Sequence, residues 1–146
     1  MKRNWFIIMI LALILCACAP KAVEVEGTSL AISDGTNEKT YSLADLQALT
    51  TTQATFNDVN YVGVSVMDLL KAAGYDPTTV KAVKATASDG YSVNYEPALF
   101  TRPDMIVAFA QADGPLTADD GNFRIVLPDA EGKLNLRMLN RLEVIQ

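Results

Sequence analysis

The 146-residue chain contains no histidine and only two cysteines. Without histidine it lacks the commonest proton shuttle at neutral pH and the commonest neutral metal ligand. Both cysteines, Cys16 and Cys18, stand near the start. Residues 19–146 therefore offer no internal disulfide and no thiolate for a metal or a nucleophilic step. Basic charge is also scarce, with 12 Lys and Arg against 17 Asp and Glu and a formal charge of −5. Such a chain does not present the basic face that nucleic-acid phosphates demand. It does not adhere electrostatically to anionic lipid either. The long apolar run at residues 5–15 falls short of the roughly 20 residues that span a bilayer. No fixed-period repeat and no low-complexity tract interrupts the rest.

What is present begins with Lys2 and Arg3, followed by that apolar run. This is the order of a secretory leader. Leu15-Cys16-Ala17-Cys18 resembles the lipobox of bacterial lipoproteins. There the small residue fits the peptidase and the following thiol takes diacylglycerol as a thioether. Residues 1–17 are expected to be a signal peptide, and 18–26 a lipidated N-terminus and spacer. Residues 27–146 are expected to be one folded domain, which their length suits. Acylation at Cys16 and an uncleaved anchor helix are the competing readings. Loss of Lys2 and Arg3 takes the formal charge from −5 to −7. Each buried lipid methylene adds about 0.8 kcal/mol, so two or three chains hold firmly where one does not. The implied location is the bacterial cell envelope, lipid-anchored on the outer side of the cytoplasmic membrane or in the periplasm.

Across the domain, short extended segments alternate with turns. Residues 28–32, 39–41, 50–56, 61–64, 80–87, 91–95, 105–110, 123–127, 134–138 and 141–145 read as strands. Ser42 reads as an N-cap with Asp45 in a capping box. Leu43, Leu46 and Leu49 lie on one helical face. Ser65 caps a second helix at 66–73, and Gly74 stops it. Residues 96–100 form one helical turn. Asp113-Gly114-Pro115 and 129–132 read as turns. Many short strands with short helices, and no regular βαβ alternation, predict an α+β mixed-sheet domain.

Five segments in order resemble the sulfite-oxidase-type molybdopterin-binding domain. They are Gly63-Val64 running through a short helix to Ala73-Gly74; Asp89-Gly90-Tyr91; Ile106-Val107-Ala108-Phe109 with Gly114-Pro115-Leu116; Gly121 to Arg124 and on to Pro128; and Arg137 through Arg141-Leu142-Glu143-Val144. The resemblance implies that family's fold from about Ser42 onward. It also implies a molybdenum-ligating cysteine in the stretch before Gly63. Residues 50–58 contain none, so the resemblance implies a small, degenerate member. A threonine hydroxyl is a poor substitute for a soft thiolate. Acylation would consume the sulfur of Cys18.

The expected function is a non-catalytic binding or accessory module, without a cofactor or metal. Its partners are membrane lipid, through Cys18, and a protein or small molecule. The alternatives are a cofactor-binding component of an extracytoplasmic oxidoreductase or electron-transfer system, with molybdopterin bound, and a structural envelope lipoprotein. The ligand candidates are Arg124, Arg137, Tyr91 and Thr52. Arg124 and Arg137 match basic positions that the resemblance places near a cofactor phosphate, and pairing with surface carboxylates is the plainer reading of both. Thr52 belongs to a threonine run that also reads as simple extended chain. Phe56, Tyr61, Tyr91 and Tyr95 read as packing residues more readily than as a pocket. Asp113, Asp119, Asp120 and Asp129 read as solvated surface.

Mass spectrometry of the membrane-extracted chain tests the leader. A mature N-terminus at an acylated Cys18 is expected, and Cys18→Ser should retain residues 1–17. A native chain that starts at Met1 without lipid would refute the reading.

Overall fold

The computed structural model describes residues 28–146. The expected leader, the acylated Cys18 and the spacer lie outside the described residues.

Local rules set most of the elements. The hairpin of β1 (Ser29–Ser33) and β2 (Glu38–Ser42) turns at Gly35, whose φ is +85°. Ser42 caps α1 (Leu43–Gln47): its side chain accepts from the Asp45 amide, and the Asp45 carboxylate accepts from the Ser42 amide at 2.8 Å. Strand β3 (Thr52–Phe56) meets β4 (Val59–Ser65) across a two-residue turn, Asn57-Asp58, with both residues at positive φ. Ser65 then caps α2 (Val66–Ala73), and Gly74 ends it at φ +98°. The buried stripe of α2 is Val66, Leu69, Leu70 and Ala73, the spacing of one helical face. Strands β5 (Ala82–Ala87) and β6 (Ser92–Tyr95) form the next hairpin, followed by a single turn α3 (Pro97–Phe100). The remaining strands are β7 (Ile106–Gln111), β8 (Gly114–Pro115), β9 (Arg124–Val126) and β10 (Leu139–Ile145).

These strands form two sheets. The first has the order β2-β1-β10-β5-β6 and is mixed, because β1 runs parallel to β10. The second runs β3-β4-β7, with β8 and β9 sharing the far side of β7. One face of each sheet, together with α2, encloses the main core, including Leu30, Val64, Leu69, Val83, Ile125 and Leu142. An extra residue at Asn140 shifts the pairing of β10 with β5. It lets Leu139 and Leu142 both bury their side chains.

The second sheet curls strongly. Cα atoms of β3 come within 8 Å of β9, three strands away in the order. The small residues Ala54, Gly63 and Ala108 permit this. Ala54, Tyr61, Ile106, Ala108 and Val126 fill the hollow as a separate apolar cluster. At Gly63 a Cβ would sit 2.1 Å from the Val107 carbonyl oxygen.

Two expected features differ. Residues 134–138 are not a strand; the chain there makes a 3₁₀ turn over Gly132–Leu134 and an irregular run to β10. The cause is Asn135, whose buried side chain bonds both the amide and the carbonyl of Leu127 and so replaces a strand ladder. Gly114-Pro115 is a short strand paired with Ala110 and Gln111, and Ala112-Asp113 make the turn. Among the described residues, no helix is long and apolar enough to cross a membrane.

The close approach at Gly63 predicts a large penalty for one methyl group. Gly63→Ala should lower the unfolding free energy by about 1–3 kcal/mol in urea titration. A change within error would show that β4 and β7 separate freely.

Candidate functional site

Strand alternation sorts the three residues of β9. Ile125 enters the main core, while Arg124 and Val126 point to the hollow of the curled sheet. Arg124 is 1% exposed. A guanidinium this deep needs a matched anion and a full set of acceptors.

Asp120, 3% exposed, supplies the anion. Arg124 Nη1 donates to Asp120 Oδ1 at 2.6 Å and to the Tyr61 hydroxyl at 2.9 Å. Nη2 reaches the Asn135 carbonyl at 3.5 Å. The guanidinium carbon stands 4.7 Å from the Tyr61 ring centroid and 5.8 Å from that of Phe56, within cation–π range. Nε is buried without a partner. Asp120 Oδ2 accepts from Thr117 Oγ1 at 2.9 Å, and Oδ1 also faces Arg137 Nε at 3.5 Å. Gly121, at φ +73°, carries the chain past Met138, where a Cβ would lie 2.9 Å from Met138 Cα. The Met138 amide donates to the Asp120 carbonyl at 2.8 Å. Met138 itself holds φ +52°, a strained backbone for a non-glycine residue.

Above this pair lies an open cleft of about 400 Å³, walled by Phe56, Tyr91, Arg124, Lys133 and Arg137, with Asp89 and Asp119 also on its lining. Tyr91 is half exposed and donates its hydroxyl proton to the Lys133 carbonyl at 3.3 Å. Lys133 pairs with Glu131 at 2.7 Å, which holds the Glu131 carboxyl below its usual range. Tyr95, off the lining, anchors the turn that carries Lys133 by donating to the Leu134 carbonyl at 2.6 Å, and burial pushes its phenol pKa well up.

The structure therefore brings Arg124, Arg137 and Tyr91 together. Thr52 is elsewhere, half-buried on β3 opposite Gly63 and off the cleft lining. Two expectations need correction. Arg124 does pair with a carboxylate, but in the interior rather than at the surface. Asp120 is part of that pair and is not solvated surface. Sequence reading missed Asn135 and Lys133 as site residues, and weighed Tyr61 only as a packing or pocket aromatic, not as a hydrogen-bond and ring partner of Arg124. The spacing Asp120-Gly121-x-x-Arg124 was the one available signal.

Comparison with known proteins identifies the scaffold. The sequence profile described as "Oxidoreductase molybdopterin binding domain" matches residues 33–146. The chain belongs to this molybdopterin-binding domain family. Mitochondrial sulfite oxidase of Drosophila melanogaster is 26% identical over 135 residues, covering 85% of this chain and 24% of that protein. The crystal structure of the sulfane dehydrogenase SoxCD from Paracoccus pantotrophus superposes with a TM-score of 0.70 at 20% identity, over 85% of this chain and 40% of that one. The chain thus spans about a quarter of the first relative and two fifths of the second.

The family's molybdenum centre does not fit the donors this domain offers. Residues 50–58 hold no thiol, and β3 and β4 close through a two-residue turn that leaves no loop to carry one. Arg124, which the resemblance aims at a cofactor phosphate, is already neutralised by Asp120.

Breaking a buried pair costs more than replacing it. Arg124→Met should destabilise by about 3 kcal/mol because Asp120 is left buried with only the exposed Arg137, at 3.5 Å, and the Thr117 hydroxyl as partners. Arg124→Met with Asp120→Leu should recover most of that loss in the same urea titration. Equal losses in the single and double variants would show that packing, not the charge pair, holds the site.

Proposed function

We propose that the chain is a membrane-tethered, extracytoplasmic and non-catalytic member of the molybdopterin-binding domain family. The domain is molybdopterin-oxidoreductase-like in fold. Its cleft is read as a site for a small ligand rather than for a phosphate-bearing cofactor. The observation that carries this reading is the buried Arg124–Asp120 pair, which spends the deepest cation of the cleft on an internal partner.

The remaining lining supports the same view. The lining carries Asp89 and Asp119 as well as Arg137 and Lys133, so the charges of the cleft are close to balanced. A pterin phosphate would meet the Asp120 carboxylate directly behind Arg124, and like charges in a poorly solvated site repel. A polar ligand of little net charge, stacked beside Tyr91 and Phe56, suits the walls better. Arg137, half exposed at the mouth, is the residue best placed to orient it. Tethering through Cys18 would hold the domain at the membrane without any basic patch.

Metal content tests the reading. The chain, isolated from a molybdenum-replete host and analysed by inductively coupled plasma mass spectrometry, should carry molybdenum far below one atom per chain. Stoichiometric molybdenum would overturn it.

A further inference from the structure

A second recess lies on a different side of β3 from the pair partner β4, and the cleft reading does not bear on it. Among the described residues, β3 is an edge strand that pairs with β4 alone. The two-residue turn makes Phe56 and Val59 a hydrogen-bonded pair, and alternation then gives β4 the backbone groups of Thr52, Ala54 and Phe56. The amides and carbonyls of Gln53 and Thr55 consequently point away from β4, toward the free edge.

Natural edges are usually protected by charge, proline or a bulge. Strand β2, at the edge of the other sheet, carries Glu38 and Lys39. Residues 50–57 carry no charge, no proline and no glycine. Beside this edge runs an open groove of about 740 Å³, formed by Gln53 to Asp58 on one side and by Asp104 and residues 128–130 on the other. One extended residue fills roughly 160 Å³, from a 3.3 Å rise, 4.8 Å between strands and 10 Å between sheets. The groove therefore has room for about four or five residues, the length of β3 itself.

Charge selects the occupant. Asp58, Asp104 and Asp129 rim the groove. Asp104 is held by Arg102 through two bonds, at 2.9 and 2.7 Å. Asp58 and Asp129 make no ion pair within 4.0 Å among the described residues, although the Arg102 charge acts on Asp129 from nearby. A second copy of this acidic chain, at −5 overall, would bring more carboxylates to the same rim. We propose that this groove receives an extended, lysine- or arginine-bearing segment of a partner protein, which adds a strand to β3 and sets its cations against Asp58 and Asp129.

The test uses the full chain in detergent and a fluorescent peptide of alternating lysine and valine, read by anisotropy. One control peptide alternates glutamate with valine, and the other repeats the lysine–valine order with every backbone amide N-methylated. Lysine–valine should bind. Glutamate–valine should not, for want of positive charge, and the N-methylated peptide should not, for want of N–H donors. Gln53→Pro removes one outward amide, and edge positions tolerate proline. The pair Asp58→Asn with Asp129→Asn keeps residues that accept positive φ. Each change should weaken binding about tenfold while thermal unfolding stays unchanged. Hydrogen exchange at the Gln53 and Thr55 amides should slow when the peptide is bound, a readout that needs no variant. Equal binding of the lysine–valine and glutamate–valine peptides, or no slowing at those amides, would overturn the proposal. Self-association in sedimentation that Gln53→Pro abolishes would also overturn it, by giving the edge to a second copy.

Discussion

A guanidinium removed from water must be met by an anion, and the whole cleft end of this domain is organised around that requirement. Asp120 meets Arg124 at 2.6 Å with both side chains nearly inaccessible. To hold the carboxylate there, the loop before β9 bends at Gly121 and lies against Met138. To hold the guanidinium, β4 supplies the ring and hydroxyl of Tyr61, and the Asn135 carbonyl approaches from below. Asn135 is in turn fixed by Leu127 and Glu131. The pair thus ties the curled sheet to the irregular run that precedes β10.

Chemistry that would need Arg124 free is therefore in competition with the fold. A phosphate would have to displace Asp120 or sit beside it, and either move exposes a buried charge to repulsion or leaves it unpaired. In this chain the family scaffold rests on contacts elsewhere. They are the Gly63 approach, the Ser65 to Gly74 helix, the alternating faces of β5 and the shared far side of β7.

What could be read from the sequence follows the range of the interactions. Caps are local, so Ser42, Ser65 and Gly74 marked helix ends that the structure reproduces. The alternation of Val83, Ala85 and Ala87 needed only period two. The order of the family segments carried the fold. Residues 134–138 were misread because a side chain, Asn135, does the work of a strand partner, and composition gives no sign of that. Asp120 was misread because its burial depends on Tyr61, 59 positions earlier, and on the curl of β3 toward β9. Arg124 and Arg137 were singled out by resemblance, yet only the fold separates a neutralised interior arginine from one at the mouth. Thr52 followed from a threonine run, and the hairpin turned it to a different part of the sheet.

The central claim is that Asp120 closes the cleft to anions by neutralising Arg124. Titration calorimetry with inorganic phosphate, on the parent chain and on Asp120→Asn, tests it most directly. The asparagine side chain would keep the shape and the Thr117 bond while freeing the charge, so phosphate should bind the variant about tenfold or more tightly than the parent. Parent and variant binding phosphate equally well would contradict the account.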